Sequence, residues 1–160
     1  MVILLMGVTG SGKTTIGAAL AESLTWQFVD ADEFHSPANV AKMRAGIPLE
    51  DADRVPWLAS LHTAIVGWLQ TGASVVLACS ALKQAYREQL LVSPDVRLVY
   101  LRGSCEVISR RLSERHGHYM NADLLASQFA TLEEPQDAIV VNVDAPVPQI
   151  IAEVRNALRV

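Results

Sequence analysis

A reactive pattern opens at the seventh residue of the chain. Gly7-Val8-Thr9-Gly10-Ser11-Gly12-Lys13-Thr14 fits G-x-x-x-x-G-K-[ST], after an apolar strand-like run and before a helical pattern. Glycines at these places let the backbone curl so that its N–H groups face an anion, and the positive end of the following helix adds to them. Lys13 can reach the β- and γ-phosphates of a nucleoside triphosphate, and the Thr14 hydroxyl can take a place on Mg²⁺. Gly7 through Thr14, with the adjoining Thr15, are therefore the expected nucleotide-binding residues, and Thr14 one of the expected metal ligands.

A phosphate loop names the nucleotide but not its fate. No base-specifying Asn-Lys-x-Asp follows, which sets GTPase switches aside. P-loop ATPases place an acid at the end of an apolar strand. Here Val75–Cys79 runs into Ser80 and Leu98–Leu101 into Arg102, neither of them a carboxylate. The acids must come from Asp30-Ala31-Asp32, at the end of the apolar pair Phe28-Val29. In an extended segment residues i and i+2 point to one side, so the two carboxylates are expected side by side. Asp30 could hold a water on Mg²⁺, while Asp32 orients and deprotonates an acceptor hydroxyl. Phosphoryl transfer asks little more of a base. The chain reads as a small ATP-dependent kinase.

The elements that must position these groups alternate. Strands are expected at 2–6, 28–29, 74–79, 96–101 and 138–143. Helices are expected after the loop (Ile16, Leu20 and Leu24 on one face), then at 37–45, 51–71, 83–91 and 104–115, up to about Leu132, and from Pro146 onward. Such alternation implies an α/β fold of three layers, a five-stranded parallel sheet covered by helices on both faces. Ligands in such sheets bind at the carboxyl ends of the strands, so Gly7, Asp30, Ser80 and Arg102 should share one rim. The 160 residues suit a single domain, and 51% hydrophobic with 19% charged residues suits a packed core. A net charge of −4 disfavours nucleic acid as a partner. No run is long enough to span a membrane and no leader pattern opens the chain, so a cytoplasmic protein is expected. Cys79 and Cys105 read as reduced thiols.

The residues after the acid pair carry a resemblance. Asp30-Ala31-Asp32-Glu33-Phe34-His35 through Asn39, Lys42 and Met43 leads to Gly46-Ile47-Pro48-Leu49-Glu50-Asp51-Ala52-Asp53-Arg54-Val55-Pro56-Trp57-Leu58. This is similar to the gluconate kinase signature D-x-D-x-x-H-x-x-x-N-x-x-K-M … G-x-P-L-x-D-x-D-R-x-P-W-L. Cys79-Ser80-Ala81-Leu82-Lys83 with Tyr86-Arg87, then Gly117-His118 and Gln128–Pro135, resemble further blocks of that family in the same order. Ala31, where glycine is usual, is a mild departure.

The resemblance implies a nucleoside-monophosphate-kinase type of fold and phosphorylation of D-gluconate on its 6-hydroxyl with ATP and Mg²⁺. It implies a substrate-binding insertion at about 34–72, a lid at about 111–124, and often a homodimer. The substrate would be an anion with several hydroxyls, so its carboxylate calls for a cation, and Arg54, Lys83 and Arg87 are the candidates. Asp32, His35 and Ser80 are expected to meet its hydroxyls. Lys13, Asp32 and the lid arginines Arg111 and Arg115, four apart on one helix, are the expected catalytic residues. His116 and His118 have no third ligand at suitable spacing for a metal. Two other readings stand beside this one: a P-loop kinase with a shikimate-like or adenylylsulfate-like acceptor, and a non-catalytic ATP-binding module.

Overall fold

The structure, a computed structural model, describes residues 1–114 and 122–160. Arg115, His116, Gly117 and His118 lie outside the described residues. Five strands, β1 (Val2–Met6), β2 (Gln27–Asp30), β3 (Val75–Ala78), β4 (Val96–Arg102) and β5 (Ile139–Asn142), form one parallel sheet in the order β2-β3-β1-β4-β5. Among the described residues seven α-helices accompany them: α1 (Lys13–Leu24), α2 (Pro37–Arg44), α3 (Asp51–Thr71), α4 (Gln84–Leu90), α5 (Cys105–Glu114), α6 (Ala122–Thr131) and α7 (Val147–Leu158).

The central strand explains the layering. Every residue of β1 is buried, and alternation divides them between two cores. Val2, Leu4 and Met6 pack with Trp57, Leu61, Ile65 and Tyr86 beneath α3 and α4. Ile3 and Leu5 pack with Ile16, Leu20, Ile150 and Val154 of α1 and α7. A strand buried on both faces must be apolar throughout, which is why this one is readable from sequence. A third, smaller cluster of Val8, Ile108, Leu112, Leu125 and Leu82 lies beside the loop after β1 and joins it to α5 and α6.

Two local structures aim the site. The loop enters α1 through Gly12 at φ 94°, a left-handed conformation that a side chain would strain. After β2 the chain does not stay extended. Residues Ala31–Phe34 form a 3-10 turn capped by Asp30, whose Oδ1 accepts the Asp32 N–H at 3.0 Å. The expected extended geometry of the acid pair is thus replaced by a capped turn. A short acid at a turn start satisfies a free N–H with its own side chain.

The turn is fastened to the body by Trp57. Its indole Nε1 donates to the Ala31 carbonyl at 2.8 Å, and α3 carries it there, opened by an N-terminal box in which Glu50 N–H meets the Asp53 carboxylate at 2.9 Å. Trp57→Phe keeps an aromatic ring but leaves a buried carbonyl unpaired. It should lower unfolding free energy by about 1–3 kcal/mol in urea titrations.

Candidate active site

The carboxyl ends of β1, β2 and β3 enclose a cleft of about 210 Å³ lined by Thr9, Gly10, Gly12, Lys13 and Thr14 on one side and by Asp30, Asp32, Cys79 and Ser80 on the other. The loop is anchored below by Gly7 N–H on the Ser80 carbonyl at 3.3 Å. Ser11 is fully buried within the loop, and Thr15 is exposed on the first turn of α1. Lys13 Nζ curls back to donate to the Gly7 and Val8 carbonyls, each at 3.0 Å. Burial lowers its pKa, while Cys79, Asp32 and Asp30 pull it up. A bound polyphosphate would favour the charged ammonium further. Burial pushes the Cys79 thiol up to about 12, so it is protonated and inert as a nucleophile.

Opposite the lysine, Thr14 Oγ1 donates to Asp30 Oδ2 at 3.3 Å. A hydroxyl beside a carboxylate at the edge of a phosphate loop is the hard-oxygen donor set that suits Mg²⁺, which takes its remaining ligands from water and phosphate. Asp32 is different in kind. Its side chain is 77% exposed to the cleft, yet the protein around it and the charge of Asp30 raise its pKa, with His35 and Lys13 opposing.

His35 stands behind Asp32. Its ring stacks on Trp57 at 4.5 Å and 11°, and its side chain is 4% exposed. Asn39 Nδ2 donates to His35 Nδ1 at 3.3 Å and also to the Asp53 carbonyl at 2.8 Å. That bond makes Nδ1 the acceptor and leaves the proton on Nε2, which faces Asp32 Oδ1 at 4.0 Å. Burial lowers the His35 pKa, so the imidazole presented is neutral.

The expected anion-binding cations divide. Arg54 donates to the Leu49 carbonyl at 2.9 Å and lies over the Tyr86 ring at 5.8 Å. Lys83 Nζ lies over the same ring at 5.6 Å and bonds both Asp51 oxygens at 2.9 and 3.2 Å, while Tyr86 Oη also donates to Asp51. These two cations, one ring and one acid form a cluster where α3 and α4 begin. Arg87 goes elsewhere: its guanidinium is spent on the carbonyls of Ala81 (2.9 Å), Leu82 (3.0 Å) and Glu133 (2.8 Å), and the residue is 4% exposed. It ties the segment after α6 to the segment before α4 and is not among the residues lining the cleft.

Arg102 stands on the carboxyl-end rim as expected but outside the cleft. It ends β4 paired with Glu134 at 3.5 Å and lines a separate cavity with Tyr100, Phe129 and Leu132. Its strand position faces the α3–α4 side, where the acid meets it. Arg111 Nη2 donates to the Val143 carbonyl after β5; Arg115, its expected companion, lies outside the described residues. Asp51, Asn39 and Gln128 were given no role by the sequence. Asp51 and Asn39 stand inside the matched blocks as fixed letters, and Gln128 opens the last block, so position alone was their only signal.

Residues 2–144 match the family model described as an AAA domain. The chain is 45% identical over 179 residues to a probable gluconokinase of Mus musculus, covering 99% of this chain and 97% of that protein. It is 40% identical to a gluconokinase of Sinorhizobium meliloti 1021 whose crystal structure superposes with a TM-score of 0.88, covering 98% of this chain and 90% of that one. A shikimate kinase from Bacteroides thetaiotaomicron, at 19% identity and a TM-score of 0.70 over 100% and 99% of the two chains, shares the fold alone.

Two outcomes follow from the geometry. A carboxyl whose pKa is raised on folding costs the folded state stability as pH climbs above 3.8, the ordinary Asp value. Asp32→Asn should therefore melt above the wild type at neutral pH, and the gap should close as pH falls through the carboxylate range. Arg87→Met strands the buried Ala81 carbonyl and loosens the tie to Glu133, and should cost about 1–3 kcal/mol in chemical unfolding, with little effect on the KM of the acceptor in the folded fraction.

Proposed function

The chain belongs to the gluconokinase family, and from that premise we propose that it transfers the γ-phosphoryl group of ATP to the 6-hydroxyl of D-gluconate, giving 6-phospho-D-gluconate and ADP. The observation that carries the reading is the meeting of Lys13 and Thr14 with Asp30 and Asp32 in one cleft. The loop from Gly7 to Thr15 holds the triphosphate, with Lys13 on its terminal oxygens. Mg²⁺, when bound, supplies charge neutralisation across those oxygens, and Thr14 with Asp30 would hold it.

Asp32 is proposed as the group that orients the acceptor hydroxyl and takes its proton. Its raised pKa and open side chain fit a base that must reach substrate. His35 offers a neutral N–H toward the same hydroxyls, and Ser80 lines the cleft beside Asp32. Arg54 and Lys83 are proposed to meet the gluconate carboxylate. Lys83 holds Asp51 on an exposed edge, so exchanging that carboxylate for another costs little. Arg87 keeps these neighbours in place without touching substrate.

The remaining parts of the proposal rest on the family. The whole chain acts as one kinase domain, residues 34–72 serve as the substrate-binding insertion, and 111–124, with Arg111 and Arg115, serve as the lid. A second copy of the chain is the proposed partner, and the cytoplasm the proposed place of action. Among the described residues no helix is long and apolar enough to cross a membrane.

A coupled assay of ADP release with ATP, Mg²⁺ and a panel of acceptors tests the substrate. Turnover is expected with gluconate and not with shikimate or adenylylsulfate; a folded protein that turns over either of those instead would overturn the assignment. In the same assay Asp32→Asn should cut kcat by roughly 10²–10⁴ while ATP affinity stays largely intact. Equal loss of ATP affinity would place Asp32 on the metal.

A further inference from the structure

We propose that Gln128 is a positioning residue for phosphoryl transfer: its carboxamide fixes the Thr9 end of the phosphate loop to α6, so that α1 alone does not set the shape of the loop. The contact is direct. Thr9 N–H donates to Gln128 Oε1 at 2.6 Å, across 119 positions of sequence. Thr9 and the neighbouring Gly10 line the cleft.

Two other contacts bring the same helices onto the same part of the loop. Val8 is buried with Ile108, Leu112 and Leu125. A Cβ on Gly10 would stand 2.8 Å from the Leu112 side chain, so α5 packs against the loop backbone as closely as a glycine permits. Beyond α6 the chain is held in turn by Glu133 N–H on the Leu82 carbonyl at 2.9 Å and by Arg87 on the Glu133 carbonyl. The loop is thereby fixed from both sides, by α1 through Gly12 and by α6 through Gln128.

The chemistry of the side chain matters as much as its place. Backbone N–H groups of this loop attract anionic oxygens. Any group that satisfies one of them permanently, next to a triphosphate, must accept a hydrogen bond without adding negative charge. A carboxamide does so. Glutamate has the same length and the same acceptor, but its charge would repel the terminal phosphate at short range. The residue type is thus matched to a bound anion, which a purely structural tie would not require.

The inference rests on the nucleotide reading of the cleft and not on the identity of the acceptor. The test therefore uses calorimetric titration of the full chain with Mg²⁺-ATP and Mg²⁺-ADP in the absence of acceptor, with melting temperature beside it. Gln128→Ala should weaken ATP binding roughly 3–10-fold, the worth of one hydrogen bond, and should raise the KM for ATP more than that for the acceptor. Gln128→Glu keeps the tie, so its melting temperature should stay near wild type. Its ATP affinity should fall by about tenfold or more, and by more than its ADP affinity. Should the alanine variant fail to fold, the isosteric variant still reads the proposal. Wild-type ATP and ADP affinities in Gln128→Glu, or a lowered melting temperature with unchanged nucleotide affinity in Gln128→Ala, would overturn it.

Discussion

Two carboxylates stand within reach of a loop built to attract anions, and the rest of the site is arranged around that conflict. Asp30 is quieted by three neighbours: the Thr14 hydroxyl, the Asp32 N–H and the nearby Lys13. For Asp32, burial and the charge of Asp30 outweigh the opposing pull of His35 and Lys13, and its pKa rises. The division is physical. One acid is held by hydrogen bonds beside the loop, where it could keep a cation, and the other is left open to the cleft with a raised proton affinity, as the proposed base requires. Holding the second acid in place falls to a short turn that Asp30 caps and Trp57 ties to α3, with His35 stacked on the same indole.

A second constraint is charge supply. The chain carries a net −4, so an anionic substrate must be met by particular cations placed where it binds. The two proposed for this, Arg54 and Lys83, lie over one tyrosine ring where α3 and α4 begin, with Asp51 bonded to Lys83. Arg87, though basic and close in sequence, does a different task. A guanidinium has five donors in a fixed fork, and here they bind three carbonyls, of Ala81, Leu82 and Glu133, that flank the start of α4 and the end of α6. The same residue type thus serves architecture at Arg87 and is proposed for recognition at Arg54.

How much of this could be read beforehand follows from the range of each interaction. The strands and long helices were legible because burial on two faces or one leaves a periodic pattern, as in β1 and α3. The phosphate loop was legible because its chemistry is local. The capped turn after β2 was not, since it depends on one side-chain bond rather than on periodicity. The fates of Arg87, Arg102 and Gln128 were hidden for another reason. Their partners, Glu133, Glu134 and Thr9, lie 46, 32 and 119 residues away, and only the fold brings them together.

The central claim is that Asp32 presents the acceptor hydroxyl to the terminal phosphate. It is tested most directly by a crystal structure of the chain with gluconate, Mg²⁺ and a non-hydrolysable ATP analogue. The account predicts the 6-hydroxyl oxygen within about 2.6–3.2 Å of an Asp32 carboxylate oxygen, in line with the γ-phosphorus, while Asp30 faces the metal. A 6-hydroxyl bonded to another group, with Asp32 turned onto the metal or out to solvent, would contradict it.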